Sequence, residues 1–233
     1  MAKISCVMPT KNRGKIIGDA IQSITKQTEK DWELIIVDDH SDAGDKTEKV
    51  VKSFKDKRIK YYRMKNNGSG VACARNFGNI LAKAPIIAVM DSDDIAYPFR
   101  FKLTLEEFRK KKPDVVYGEI DWWDPKTGKV WARNKESSKW YSRDFDLIEL
   151  KELDYIANVT SAYKRQLAID FPYNSFYPRA EDWDFFLRLG RHGYKFSFIP
   201  KNLVKARRHK KSIIEQKFID FDYDSIVVQN NKN

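Results

Sequence analysis

Two apolar runs in this chain end abruptly in acids. Val37 is followed by Asp38-Asp39-His40-Ser41-Asp42, and Ala88-Val89-Met90 by Asp91-Ser92-Asp93-Asp94. A short apolar run reads as a buried strand, and its polar continuation as the loop at the strand's carboxyl end, where open α/β sheets bind ligands. If the extended geometry persists, Asp91 and Asp93 project to the same side. Two carboxylates held together repel and raise each other's pKa, so such a pair is expected to serve a cation. Hard oxygen ligands suit Mg²⁺ or Mn²⁺, which typically bind through one or two carboxylates plus the phosphates of a substrate. The expected chemistry is a nucleoside diphosphate bridged to the protein by a divalent metal. Asp-x-Asp triplets are common, however, and acids after a strand also serve simply to cap the next helix.

The elements that must position these acids follow from the rhythm of the first half. From Lys3 to Gly118, short β-branched runs alternate with longer segments of helical period, the pattern of βαβ units around a largely parallel sheet. Strands are expected at Ile4 to Met8, Glu33 to Val37, Ile59 to Arg63, Ile86 to Met90 and Val115 to Tyr117. Helices are expected at Lys15 to Lys26, Thr47 to Phe54, Val71 to Ala82 and Pro98 to Lys110. After Gly118 the pattern changes: aromatic runs flank Pro125-Lys126-Thr127-Gly128, which reads as a hairpin. Glu181 to Gly193 has apolar residues at helical spacing, acids in its first turn and a terminal glycine. The reading is one α/β domain built of two fused halves, residues 1–118 and 119–220, followed by a polar tail at 221–233.

Composition narrows the classes. The 233 residues are 42% hydrophobic and 33% charged, rich enough in core-formers for a folded, soluble protein. Apolar runs fall well short of the roughly 20 residues that span a bilayer, and the start lacks the order of a signal peptide. An intracellular, cytoplasmic protein is expected, with peripheral membrane contact open. Forty-four basic residues against 33 acidic give a net charge of +11, which favours polyanionic partners without choosing among them. Cys6 and Cys73 are read as buried reduced thiols. No P-loop motif, Gly-x-Ser-x-Gly elbow or His-Glu-x-x-His is present, and Cys73 stands where a dinucleotide fingerprint needs its third glycine.

Five segments, taken in order, resemble family 2 glycosyltransferases: Val7-Met8-Pro9-Thr10-Lys11-Asn12-Arg13, Ile36 to Asp42, Ala74-Arg75-Asn76-Phe77-Gly78, Asp91-Ser92-Asp93-Asp94 and Glu181-Asp182-Trp183-Asp184. The resemblance covers residues 3 to 215 and implies an A-type glycosyltransferase fold, with a Rossmann-like, mostly parallel sheet flanked by helices. It implies a metal-dependent, inverting transfer of a hexose or N-acetylhexosamine from a UDP-sugar to a glycan, lipid-linked or polymer hydroxyl.

Carried over by position, the resemblance puts Pro9, Thr10 and Arg13 beside the nucleotide, and has Asp39 accept a hydrogen bond from the base. A uracil N3–H is the natural donor to such a carboxylate, which favours UDP. Arg75 is expected in the base or diphosphate pocket. Asp91, with Ser92 beside it, is expected near the ribose or a metal-bound water. Asp93 is the metal ligand, and Asp94 caps the Pro98 helix or orients the pair. Asp182 is expected as the catalytic base. In Arg207-Arg208-His209-Lys210-Lys211-Ser212, His209 completes the metal site and the basic residues hold the diphosphate. Lys11 stands where the family commonly has Tyr, a departure expected to alter packing at the donor site without removing it. Trp122, Trp123, Trp131 and Trp140 lie where acceptors are usually met, and either stack on sugars or fill core. The alternatives are a catalytically silent nucleotide-sugar-binding protein of the same fold and a basic nucleic-acid binder. The latter conflicts with carboxylates at the strand ends, so no nucleic-acid partner is expected. Oligomeric state is open.

Overall fold

The computed structural model describes residues 2–65, 69–132 and 142–208, together with Val227 and Gln229. The first half is a parallel sheet of β1 (Ile4–Thr10), β2 (Trp32–Asp38), β3 (Ile59–Arg63) and β4 (Ile86–Val89). Its connecting helices are α1 (Ile17–Thr25), α2 (Thr47–Ser53) and α3 (Gly70–Leu81). After the two-residue β5 (Ile95–Ala96) comes α4 (Arg100–Lys111), which leads into the long β6 (Val115–Trp123). β6 turns back through Pro125 to Gly128 into β7 (Val130–Ala132), the expected hairpin. The rest is α5 (Leu147–Glu152), a 3₁₀ turn at Asn158–Thr160, β8 (Ala162–Lys164), α6 (Arg165–Asp170), α7 (Glu181–Arg191) and β9 (Phe196–Arg207).

The sheet runs β3-β2-β1-β4-β8-β6-β9-β5, with β7 on β6. From β3 to β4 every pairing is parallel. β8 enters antiparallel between β4 and β6, and β6 pairs with β9 in parallel. Strands β8 and β9, and β7 on β6, are thus woven into the first half's sheet, and the described parts of the two halves share one core. Each helix buries a stripe: α1 uses Ile17, Ala20, Ile21 and Ile24, the three-to-four spacing of an amphipathic helix. The helix α3 lies unusually close to the sheet. A Cβ at Gly78 would come within 2.4 Å of Val7 Cγ1, so only glycine lets α3 reach this depth and carry Arg75 inward.

Cys6 is buried and Cys73 only half-buried; both are free thiols. Burial pushes the Cys6 thiol up to about 12, which keeps it protonated and inert. Among the described residues, no helix is long and apolar enough to cross a membrane.

Candidate functional site

The carboxyl ends of β1, β2 and β4 and the amino end of α7 carry most of the candidate site residues. At the end of β2 the two neighbouring acids have separate tasks. Asp38 is fully buried. Its Oδ1 accepts from the Ser41 N–H and hydroxyl at 2.7 and 2.8 Å, and its Oδ2 from the Tyr61 hydroxyl at 2.5 Å. It fixes the turn in which His40 takes a left-handed φ of 59°. Asp39 faces the other way, and its N–H is held by the Thr10 carbonyl at 2.9 Å. Its two oxygens each accept a backbone N–H at the start of α3, from Ser69 and Gly70, both at 3.1 Å. Asp39 therefore supplies the N-terminal anion that α3 otherwise lacks. The Lys11 ammonium stands 3.7 Å from Asp39 Oδ2. The sequence's departure from the usual tyrosine thus places a cation on the carboxylate expected to read the base.

The acidic segment after β4 does not continue the strand. β4 ends at Val89, one more bond runs from the Met90 N–H to the Val7 carbonyl at 3.0 Å, and residues 91–94 form a turn closed by Asp94 N–H to the Asp91 carbonyl at 3.4 Å. The alternation expected of an extended strand is lost, and Asp91 and Asp93 meet different cations. Asp91 pairs with Arg75 at 3.0 Å and Asp93 with Arg13 at 3.4 Å. Asp94 does not cap the Pro98 helix, whose N-terminus has no side-chain cap. It is buried and accepts the Arg207 N–H at 2.8 Å, joining the turn to β9. Burial, and then the Asp93 and Asp91 carboxylates, push its carboxyl well above the usual range. That crowding is the physical mark of a turn with surplus negative charge.

Arg75 is the centre of the arrangement. Only 5% exposed, it bonds Glu181 through Nη1 and Asp91 through Nη2, and its guanidinium lies 5.5 Å from the Tyr173 ring centre. One buried cation thus ties α3, the acidic turn and the start of α7 together. Asn76, next along α3, clamps the Tyr173 backbone by two 2.8 Å bonds, Nδ2 to its carbonyl and Oδ1 from its N–H. Helix α7 begins on Ala180 in the left-handed region, φ 62°, and presents Glu181 and Asp182 in its first turn, where the helix dipole favours anions. Asp182 is half-buried. Burial raises its carboxyl above the ordinary value, and the Arg75 guanidinium works against that rise.

The basic segment behaves differently from expectation where it is described. Arg207 is buried, donating through Nε to the Asp93 carbonyl at 2.8 Å and through Nη2 to Asp19 at 2.7 Å. It holds the acidic turn and is committed away from a diphosphate. His209, the second expected metal ligand, and Trp140 lie outside the described residues. Among the described residues no three or more metal-ligating side chains cluster. The hard carboxylate left for a metal is Asp93, partly exposed and facing Arg13, with the partly exposed Asp91 on the other side of Ser92 in the chain and facing Arg75. This arrangement fits a Mg²⁺ or Mn²⁺ ion that takes its remaining ligands from water and a diphosphate. Pro9, Thr10 and Ser92 are buried. The Thr10 hydroxyl has no hydrogen-bond partner among the described residues, an orphaned donor at the end of β1.

Two participants escaped sequence reading. Tyr173 sits in a segment without a motif. Arg100 was absorbed into a helix, yet it is wholly buried, with Nη2 on the Val89 carbonyl at 2.6 Å and Nη1 3.2 Å from Met90 Sδ, directly under the acidic turn. A cleft of about 470 Å³ lined by Val51, Lys52, Phe54, Tyr61 and Arg63 opens at the β3 edge of the sheet and contains none of the site acids.

Comparison with known proteins gives the family and the fold. The sequence model described as glycosyl transferase family 2 matches residues 5–171. The poly(ribitol-phosphate) β-N-acetylglucosaminyltransferase TarP of Staphylococcus aureus is 32% identical over 121 residues, 51% of this chain and 37% of TarP. This chain thus matches little over a third of that relative's length. An uncharacterized glycosyltransferase of Methanocaldococcus jannaschii is 29% identical over 208 residues, 88% of this chain and 70% of the relative. The S. aureus TarS 1–349 structure in complex with UDP-GlcNAc superposes with a TM-score of 0.79 at 19% identity, covering 98% of this chain and 65% of that one, a likeness of fold. With the family match spanning most of the chain and the fold shared, the chain belongs to glycosyl transferase family 2.

Proposed function

We propose that the chain is a metal-dependent, inverting glycosyltransferase that moves a hexose or N-acetylhexosamine from a UDP-sugar to a hydroxyl of a glycan, lipid-linked or polymer acceptor. The observation that carries this reading is the Arg75 bridge, which links the acidic turn expected at the donor diphosphate to the carboxylates expected at the acceptor. UDP-GlcNAc in the TarS structure and the acetylglucosaminyl activity in TarP's name support the donor class. Residues 1–118 are assigned to the nucleotide-sugar half and residues 119–220 to the acceptor half.

In this assignment Asp39 accepts the uracil N3–H, since a carboxylate oxygen holding one backbone bond retains a free lone pair. Lys11, beside it, is positioned to donate to a neighbouring ring carbonyl. Pro9, Thr10 and Arg13 line the nucleotide, with the orphaned Thr10 hydroxyl available to it. Asp93 would hold Mn²⁺ or Mg²⁺, with Asp91 near the ribose or a metal-bound water, and the metal when bound offsets the charge developing on the departing diphosphate. Asp182 takes the proton from the attacking hydroxyl. Inversion needs one base opposite the leaving group, and a carboxyl raised by burial is better matched to that task than an ordinary one.

Slow hydrolysis of the donor separates a working transferase from a silent binder of the same fold. With UDP-GlcNAc or UDP-glucose and Mn²⁺, the native protein is expected to release UDP without added acceptor. Asp93→Asn is expected to lose both this release and the manganese-dependent part of UDP affinity. Retained manganese-dependent affinity in that variant contradicts the metal assignment. Tight UDP-sugar binding with no release, with or without acceptors, favours the silent binder.

A further inference from the structure

A row of aromatic and cationic side chains begins at the acidic turn and runs outward along β6 and β9. The parallel register sets Asp121 opposite Lys205 and Trp123 opposite Arg207, and strand residues two apart share a face. On that face the Arg207 guanidinium carbon lies 4.3 Å from the Trp123 ring centre, while its Nε holds the Asp93 carbonyl. The Lys205 ammonium comes next, 5.7 Å from the Trp123 ring and 5.8 Å from that of Tyr97. Tyr97 in turn stacks on Phe99, ring centres 5.5 Å apart, and Phe99 is 38% exposed. The neighbouring positions repeat the pattern, with Arg208 over Trp122 at 5.3 Å and Lys129 over Trp131 at 5.7 Å.

The charges in this row are unequally committed. Arg207 is consumed by Asp19 and the Asp93 carbonyl. The Asp121 carboxylate accepts from the Tyr97 hydroxyl at 2.5 Å and from Asn202 Nδ2 at 2.6 Å. Among the described residues Lys205 makes no ion pair; it is half-buried between two π faces, which stabilise a cation without neutralising it. A tryptophan that merely fills core is enclosed by apolar groups. Trp123 is instead half-buried under two cations.

We infer that this row is the acceptor subsite and that the acceptor is a phosphate-bearing glycan. Phe99, 38% exposed at the end of the row, offers a ring to sugar C–H surfaces, and Lys205, held between Trp123 and Tyr97 without an ion pair among the described residues, receives a phosphate. Through Arg207 the row ends at the turn assigned to the donor, so a chain lying along it delivers its hydroxyl there. The inference rests on the transferase reading above.

The test is calorimetric titration of the full chain, without nucleotide, by phosphorylated dextran, unmodified dextran, duplex DNA of matching charge and phosphatidylglycerol vesicles. Phosphorylated dextran is expected to bind at least about tenfold more tightly than the other three. Trp123→Leu and Lys205→Gln are each expected to weaken it by about fivefold or more, effects of the size of one aromatic or cation–π contact. If Trp123→Leu does not fold, as circular dichroism would show, Lys205→Gln at a half-buried position carries the test alone. Equal binding of unmodified dextran removes the phosphate from the inference. Equal binding of DNA or vesicles makes the row a general polyanion or membrane surface and overturns it, as does no binding at all. Because no nucleotide is present, a chain that binds this polymer but never UDP refutes the transferase reading separately.

Discussion

Replacing Asp182 by alanine is expected to lower kcat by roughly 10²–10⁴, the usual loss for a general base, with UDP affinity nearly unchanged. Asp182 is half-buried in the first turn of α7 and is not among the strand-end residues assigned to the nucleotide, so its removal is expected to fall on the chemical step. The pH profile supplies a second readout. An ordinary aspartyl group titrates near about 3.9; burial raises that of Asp182. The base must be unprotonated to act, so activity is expected to fall on the acid side at a pH above that ordinary value. Arg75 opposes the rise, so weakening its charge moves the limb to still higher pH. Unchanged turnover in Asp182→Ala removes this residue from the role.

Arg75→Met is expected to destabilise the protein by about 3–5 kcal/mol and to abolish transfer. Removing one partner of a buried pair leaves the others as uncompensated charges, and Arg75 serves two carboxylates at once. The penalty has a predictable pH dependence. Burial already raises the Glu181 carboxyl, to about 7, and loss of the guanidinium raises it further. The folded variant then holds a proton that the unfolded chain surrenders near about 4.3. Its relative stability is greatest below that value and is lost as pH rises through neutrality. Urea unfolding at pH 5 and pH 8 should show the larger deficit at pH 8, and Arg75→Met with Glu181→Gln should recover part of it. Equal stability of native and variant protein at both pH values contradicts the bridge as a structural keystone.

The parallel half of the fold was legible because its strands are short apolar runs and its helices carry clear three-to-four spacing. The Pro125 to Gly128 hairpin and α7 were legible from turn chemistry and an acid-rich helix start. The insertion of β8 between β4 and β6 was not, since three residues, Ala162-Tyr163-Lys164, carry no period. At the site, residue types announced the acids but not their partners. A strand pattern predicted Asp91 and Asp93 on one side, whereas the turn that follows Val89 sends them to different arginines. Asp94 was expected at a helix start 4 residues further on and instead secures β9, a contact 113 positions away in sequence. Arg75, Arg100 and Arg207 look alike as letters. Only packing shows that the first joins carboxylates, the second lies buried on backbone carbonyls under the turn, and the third pins that turn to α1 and β9.

The central claim, a UDP-sugar donor site built on Asp39 and a metal held at Asp93, is tested most directly by calorimetric titration of UDP, GDP, CDP and ADP, each with Mn²⁺ and with a chelator. The account predicts binding of UDP in preference to the other three and its loss on chelation. Metal-dependent preference for GDP or CDP would contradict the Asp39 reading of the base, and absence of nucleotide binding under either condition would contradict the donor site itself.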